Sequence, residues 1–194
     1  LNKLNNSFEG EDRLITIPNI NWIDSHSFTF KNRNNYYICN TKRGYKSSLL
    51  FSVPSNAQNI EINSQYNLMA YTIDNNLFIS KDVNQSFNIT NENNVNIVYG
   101  QAVHRYEFGI YKGTFWSRDG NYLAFYRKDE SMVSDYPLMN ISSHVGHVDN
   151  IKYPMAGMSS HYVKIGIYNS FNNDTIYLET NGPKDQYLTN ICWG

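Results

Sequence analysis

Few places in this sequence hold the residue types needed for nucleophilic chemistry. Ser160 stands directly beside His161, at the end of the string Gly157-Met158-Ser159-Ser160-His161. Hydrolases of the α/β type place the nucleophilic serine in Gly-x-Ser-x-Gly, between a buried strand and a helix, and this string lacks the closing glycine. Neighbouring side chains on a strand point to opposite faces. We therefore predict that this pair is not catalytic and that the chain carries no catalytic residue of its own.

Metal and thiol chemistry are also weakly indicated. His144, His147 and Asp149 lie close together, but protein metal sites with such spacing usually sit on a helix or take a further ligand from elsewhere. The stretch is polar, so a solvated loop is the preferred interpretation over a metal site. Cys39 and Cys192 are predicted to be unpaired, buried thiols, with a disulfide as the alternative. No glycine-rich phosphate loop is present, and no cofactor is predicted.

The composition narrows the class of partner. The 194 residues carry a net charge of −1, and basic residues do not cluster, so neither nucleic acid nor an anionic membrane surface is expected as a partner. No apolar run reaches the length of about 18 residues that a transmembrane helix needs. Aromatic residues make up 15% of the chain and favour strands. Asn-rich runs at 32–35 and 91–94 predict turns.

A strand–turn–strand unit recurs along the chain and predicts the fold. Its anchor positions are Trp22, Ile62, Trp116 and Trp193, which gives spacings of 40, 54 and 77 residues. The first spacing matches a four-stranded propeller blade of about 40–45 residues, and the longer ones imply insertions. Asp119-Gly120 is the strongest hairpin turn of the set. The pattern predicts an all-β partial propeller of about three four-stranded antiparallel blades, and favours it over a β-sandwich.

Three blades cannot close a ring of about four to eight. The sequence begins with Leu1 and ends in Asn190–Gly194, where a further strand is predicted to begin. We therefore expect residues 1–194 to be one partial propeller domain, truncated at both ends. No signal peptide is visible in it.

A longer succession of motifs is more specific than the blade pattern. It runs from Tyr99 to Ile110 as Tyr-Gly-Gln-Ala-Val-His-Arg-Tyr-Glu-Phe-Gly-Ile, and continues through Phe115-Trp116-Ser117, Leu123–Val133 and Lys152–Gly157. This succession resembles the N-terminal propeller of the dipeptidyl peptidase IV family in its bacterial form. The resemblance is dense from about Asp74 to Gly194, and before that only the blade pattern agrees.

The resemblance implies an activity that composition alone could not. Members of the family stack an eight-bladed propeller on an α/β-hydrolase domain, whose Ser, Asp and His release X-Pro or X-Ala dipeptides from peptide N-termini. The implied protein is a serine-type dipeptidyl aminopeptidase, a homodimer located in the periplasm or at the cell surface of a bacterium. Its hydrolase domain is absent from this chain, which should be inactive alone.

The resemblance also implies a role for one short helical segment, His104–Phe108. In the family, carboxylates on this segment hold the free amino terminus of the peptide substrate, and Glu107 is the matching residue here. Many members carry two adjacent glutamates, whereas this chain has Tyr106 before Glu107. Arg105 has two open roles, pairing with Glu107 or binding a substrate carbonyl. The arginine that binds the substrate carbonyl in the family is not assigned in this chain.

Residues Arg127–Tyr153 form the longest insertion, which in the family is an arm that joins two subunits. Its apolar members are consistent with a strand pair that reaches a partner, and they are Met132, Val133, Tyr136, Leu138 and Ile141. A plain long loop is the alternative.

Two other functional classes stay open. A non-enzymatic propeller that binds proteins or glycans would have the same blades, because fold alone does not fix function. A prolyl oligopeptidase-like endopeptidase is a weaker alternative, since its propeller lacks the acidic anchor that Glu107 would supply.

Overall fold

The structure, a computed structural model, describes residues 1–8, 12–83 and 85–194. Their regular secondary structure is nearly all β-strand, apart from one short helix, α1 (Asn2–Asn5), and the 3-10 segments Thr41–Arg43 and His104–Gly109. The strands are β1 (Ile20–Trp22), β2 (Ser27–Asn32), β3 (Asn35–Asn40), β4 (Lys46–Ser52), β5 (Gln58–Asn63), β6 (Leu68–Ile73), β7 (Asn76–Ser80), β8 (Ser86–Asn88), β9 (Ile97–Tyr99), β10 (Thr114–Trp116), β11 (Tyr122–Asp129), β12 (Asp135–Asn140), β13 (His147–Lys152), β14 (Tyr162–Asn169) and β15 (Asp174–Tyr177).

The chain divides into two compact units. The first comprises Leu1–Ile73 and Leu77–Thr90, and the second comprises Asp74–Asn76 and Asn91–Gly194. The first unit holds two four-stranded sheets, ordered β1-β2-β3-β4 and β5-β6-β7-β8. Its core is formed by aromatic and aliphatic side chains of these strands, among them Phe28, Phe30, Phe51, Met69 and Tyr71.

The second unit is built on a third sheet. Its order is β10-β11-β14-β15, with β9 also paired to β11. The central strand β11 has neighbours on both edges, and its residues Leu123–Tyr126 are buried. Strands β12 and β13 form a separate two-stranded hairpin in the connection from β11 to β14. The predicted all-β architecture of about three four-stranded blades is confirmed.

Two glycines of the second unit lie where a neighbouring group leaves no room for a side chain. A Cβ atom added to Gly113 would overlap the backbone of Gln101, and one added to Gly166 would overlap the ring of Phe125. The predicted turn at Asp119-Gly120 is also confirmed. Gly120 has φ of 71°, and its N–H donates to the Ser117 carbonyl over 3.0 Å.

Three local predictions are wrong. Asn190–Gly194 is not a strand, because its contacts run through the Trp193 side chain, whose Nε1 donates to the Phe115 carbonyl over 3.0 Å, rather than through a backbone ladder. Cys192 is exposed, although Cys39 is buried and both are free thiols as predicted. The region 147–149 is part of β13 rather than a loop, since Val148 and Asp149 pair with residues of β12.

Candidate amine-anchoring site

The His104–Gly109 segment crosses the surface of the second unit between two buried residues. Val103 precedes it and Ile110 follows it, and both belong to one apolar cluster with Tyr126 and Val163. Between these fixed ends the path is irregular. It is a merged 3-10 segment with a kink, held by backbone hydrogen bonds from Tyr106 N–H to Val103 and from Ile110 N–H to Glu107.

Four non-glycine residues of the segment have left-handed backbone angles. His104, Arg105, Tyr106 and Phe108 have φ between 51° and 62°. Such conformations cost of the order of 1–3 kcal/mol each and persist only where surrounding contacts impose them. The surrounding contacts therefore determine where the segment places Glu107.

One of these contacts is a pair of buried histidines. His104 and His161 are only 4% and 7% exposed, and His104 Nδ1 lies 3.3 Å from His161 Nε2. The backbone N–H of His104 also donates to His161 Nε2 over 3.3 Å. On the other side of the pair, the Leu188 N–H donates to His104 Nε2 over 3.3 Å. The pair thus links the segment to two other parts of the unit.

The environment of the pair favours neutral rings. Burial lowers the pKa of His104 to about 4, with further contributions from His161 and from the positive charge of Lys128. Burial also lowers the pKa of His161 to about 4, assisted by Lys128 and Arg105. Both rings are therefore uncharged at neutral pH. The pair could not be predicted from the sequence, because its members are 57 residues apart.

Aromatic rings cover the same side of the segment. The Tyr187 ring lies 4.4 Å from the His104 ring and 5.1 Å from the Phe108 ring, measured between centroids. Phe108 nevertheless remains 62% exposed and Tyr106 63% exposed. The two residues next to Glu107 in sequence therefore present their rings to solvent.

Glu107 itself is exposed, and no ion pair involves it within the part of the chain that the structure describes. Of the two roles left open for Arg105, pairing with Glu107 is therefore not found. The Arg105 guanidinium instead donates a hydrogen bond to the Lys152 carbonyl and lies 4.2 Å from the centre of the Tyr153 ring. Glu107 is thus left available to a cation from outside.

The arm is shorter in the structure than the predicted range Arg127–Tyr153. Arg127–Asp129 belong to β11 of the blade sheet, so the projecting part is the β12–β13 hairpin. Val133 is 3% exposed and packs inside the chain. Tyr136 and Leu138 are partly exposed on the hairpin, and Ile141 is exposed at its tip. The apolar side chains of Met139 and Val148 are exposed as well, although they were not among the residues predicted for the arm.

Ser160 and His161 do not form a catalytic pair. Ser160 and His161 precede β14 instead of lying within it, and His161 Nε2 is already engaged by His104. His144, His147 and Asp149 are exposed, with His147 Nε2 3.4 Å from Asp149 Oδ1. Over residues 1–8, 12–83 and 85–194, no group of three or more metal-ligating side chains is found. Within the same ranges, none of the helices has the length and hydropathy that a membrane span requires.

Comparison with known proteins assigns the chain to a family. The sequence model described as "Dipeptidyl peptidase IV (DPP IV) N-terminal region" matches residues 16–194. The chain belongs to the dipeptidyl peptidase IV N-terminal family. The predicted family resemblance is therefore confirmed, and it covers nearly the whole chain.

Individual relatives agree with this assignment. A probable dipeptidyl-aminopeptidase B of Phaeosphaeria nodorum is 30% identical over an alignment of length 148, which covers 66% of this chain and 16% of that protein. A crystal structure from Bacteroides ovatus, assigned as a dipeptidyl aminopeptidase IV, is 43% identical with a TM-score of 0.84. The matched region covers 99% of this chain and 27% of the Bacteroides ovatus chain. Porphyromonas gingivalis dipeptidyl peptidase 4 is 25% identical with a TM-score of 0.64, over 87% of this chain and 24% of its own.

These coverages show that the chain spans about a quarter or less of most dipeptidyl peptidase relatives that it matches. The homologues are dipeptidyl peptidases, so the family is one of hydrolases. The shared region is the N-terminal one.

Proposed function

We propose that this chain is the substrate-gating part of the propeller of a serine-type dipeptidyl aminopeptidase, which releases X-Pro and X-Ala dipeptides from peptide N-termini. The catalytic Ser, Asp and His belong to an α/β-hydrolase domain outside residues 1–194, and the ring has eight blades. The protein acts as a homodimer in the periplasm or at the cell surface of a bacterium. Membership of the dipeptidyl peptidase IV N-terminal family supports this assignment.

Glu107 is the proposed anchor for the amino terminus of the substrate. The observation that supports this role is an exposed carboxylate without an ion-pair partner among the described residues, carried by a backbone held in a costly conformation. A peptide α-amino group has a pKa of about 8 and is largely cationic at neutral pH. At about 4 Å and an effective dielectric constant near 20, its attraction to a carboxylate is roughly 4 kcal/mol before desolvation costs.

The anchor also limits how far a peptide can enter. A carboxylate at a fixed distance from the nucleophile favours substrates whose free amine and scissile bond are two residues apart. Blocking the amine removes the charge, and a longer N-terminal extension would place the amine elsewhere. Tyr106 in place of a second glutamate leaves one carboxylate to perform this task, with the phenol able to donate a hydrogen bond.

The test is kinetic and uses the full-length protein. Replacing Glu107 with Ala or with the isosteric Gln is expected to raise KM for an X-Pro p-nitroanilide by about tenfold. This is well below the effect of the full value of about 4 kcal/mol, because solvent screens an exposed charge pair. The N-acetylated form of the same substrate should show no further loss. Glu179→Gln, which alters another exposed carboxylate of the same unit, is the matched control. Equal loss on both substrates, or no loss on either, would contradict amine anchoring.

A further inference from the structure

The hydrogen bonds of the buried histidine pair determine where its protons lie. A backbone N–H is always a donor, so the Nε2 atom that accepts from the His104 N–H must carry a lone pair on His161. The same reasoning makes His104 Nε2 an acceptor, because it receives the Leu188 N–H. Both rings must then be neutral and protonated at Nδ1.

This assignment satisfies the contact between the two rings. With its proton on Nδ1, His104 donates to His161 Nε2 across the observed 3.3 Å. The single lone pair of His161 Nε2 is thus shared by two donors of one residue, the ring Nδ1–H and the backbone N–H of His104. Both the ring and the backbone of His104 are therefore held, at the first residue of the segment with a left-handed backbone angle.

We propose that His161 is a positioning residue: together with His104 it forms a clasp of two neutral imidazoles that fixes the backbone path of the segment bearing Glu107. The clasp connects the segment to the start of β14 through His161 and to the Tyr187–Leu188 stretch through His104 Nε2. The effect of the clasp on substrate binding rests on the proposed function. Its effect on the backbone of residues 103–110 does not.

The charged and titratable groups around the clasp oppose its protonation. Lys128 faces the pair from β11, where its Nζ lies 3.0 Å from Glu130 Oε1, and Arg105 faces it from the segment. Tyr187 contributes a ring contact from the C-terminal stretch. A proton added at either Nε2 would replace an acceptor with a donor that points at a backbone N–H. A proton on His104 Nε2 would remove the hydrogen bond from Leu188, and a proton on His161 Nε2 would remove both hydrogen bonds from His104.

The sign of the pH dependence follows from these contacts. We call the segment closed when the two histidines are buried and hydrogen-bonded, and open when they are exposed. Both imidazoles have a pKa of about 4 in the closed segment, against about 6.5 in the open one. The open segment therefore binds more protons than the closed segment between about pH 4 and pH 6.5. Closure is fully favoured above about pH 6.5, and it is lost progressively as the pH falls toward 4.

Hydrogen exchange in the full-length protein tests the clasp without reference to activity. In His161→Ala, amide exchange in residues 103–110 at pH 7 should become about tenfold faster, the effect expected for losing a buried hydrogen bond. His161→Gln offers a side-chain oxygen near the position of Nε2 and cannot titrate. Protection of these amides from exchange should therefore return toward wild type, and its change between pH 4 and pH 7 should shrink to the part that His104 contributes. His144→Ala, an exposed histidine, is the control. Unchanged exchange in His161→Ala would overturn the proposal.

Kinetics separate this proposal from the amine-anchoring role. If both hold, His161→Ala raises KM for the free-amine substrate about tenfold with little change in kcat, and His161→Gln restores it. If exchange accelerates while KM for the free-amine substrate stays unchanged, the clasp stands and its proposed effect on amine anchoring is wrong. Glu107→Gln then shows separately whether the anchoring role holds. Should His161→Ala not fold, exchange at the histidine C2 position in the wild-type protein decides. Titration of both rings near pH 4 supports the clasp, and titration of either near 6.5 overturns it.

Discussion

Arg105 shows how a single side chain connects the candidate site to the β12–β13 hairpin. Its guanidinium donates to the Lys152 carbonyl at the end of β13 and lies over the Tyr153 ring. A planar guanidinium can hydrogen-bond and stack at once, whereas a lysine ammonium is a compact charge without that geometry. Arg105 is therefore expected to hold the segment against the end of β13, and lysine at this position is expected to do so less well.

Replacing Arg105 tests this contact at the residue scale. Arg105→Ala removes the hydrogen bond and the ring contact, and each is worth about 0.5–1.5 kcal/mol at a partly exposed site. We expect KM for the free-amine substrate to rise about three- to tenfold, with Arg105→Lys recovering only part of the loss. Arg118→Ala, in the exposed β10–β11 turn, provides the control. Full recovery by lysine would show that charge alone matters, contrary to this expectation.

The β12–β13 hairpin is an element that lacks a core of its own. Its register places Tyr136 opposite Ile151 and Leu138 opposite Asp149, while Met139 and Val148 face each other on the other side. At its base, the Tyr153 N–H donates to the Ser134 carbonyl over 3.0 Å. An isolated two-stranded hairpin is marginally stable in water. Exposed apolar side chains on both faces are therefore consistent with a partner that covers them.

Polar substitution of one hairpin face tests the proposed dimer. Burying a Leu or Tyr side chain contributes roughly 1.5–3 kcal/mol. Tyr136→Ser combined with Leu138→Ser should therefore raise the dimer Kd of the full-length protein by about 100-fold or more. Sedimentation velocity at several concentrations measures this shift. Phe171→Ser, an exposed aromatic residue outside the hairpin, should leave the association unchanged. A dimer that is unaffected by the double substitution would exclude this face as the interface.

The elements differ in how well the sequence predicted them. The β10–β11 hairpin was predictable because Gly120 supplies the positive φ of its turn, and apolar runs indicated the buried strand β11. The limits of the arm were not predictable from the sequence. Arg127–Asp129 continue β11 because they pair with β9 and β14, whose residues are distant in sequence. The same holds for Asn190–Gly194, whose apolar pattern reflects side-chain contacts instead of a ladder.

The candidate site was predictable only in part, and for a related reason. Family resemblance indicated Glu107 and its segment, because the motif is continuous in sequence. The left-handed path of the segment could not be predicted, since four non-glycine residues adopt angles that local preferences disfavour. The histidine pair that accompanies this path joins positions 104 and 161, and a single sequence contains no signal that links them.

At the scale of the whole molecule, the chain contains a candidate substrate anchor, whereas the serine that stands beside a histidine lacks an available base. The two compact units each have their own buried core, so the blades have a basis for folding that does not require an active site. Ser160 has no free imidazole beside it, because His161 Nε2 accepts from His104. Binding and chemistry are thus expected to reside in different parts of the protein.

Residues 1–194 produced alone should therefore release no dipeptide. A serine peptidase needs a serine activated by an available base, and the geometry around His161 supplies none. The measurement is hydrolysis of an X-Pro p-nitroanilide by the purified chain, with circular dichroism to verify its strand content and the full-length protein as the positive control. Turnover above the buffer rate that persists after inhibition of contaminating peptidases would contradict this division of labour. It would require a nucleophile within these residues, with Ser160 as the first to replace by Ala.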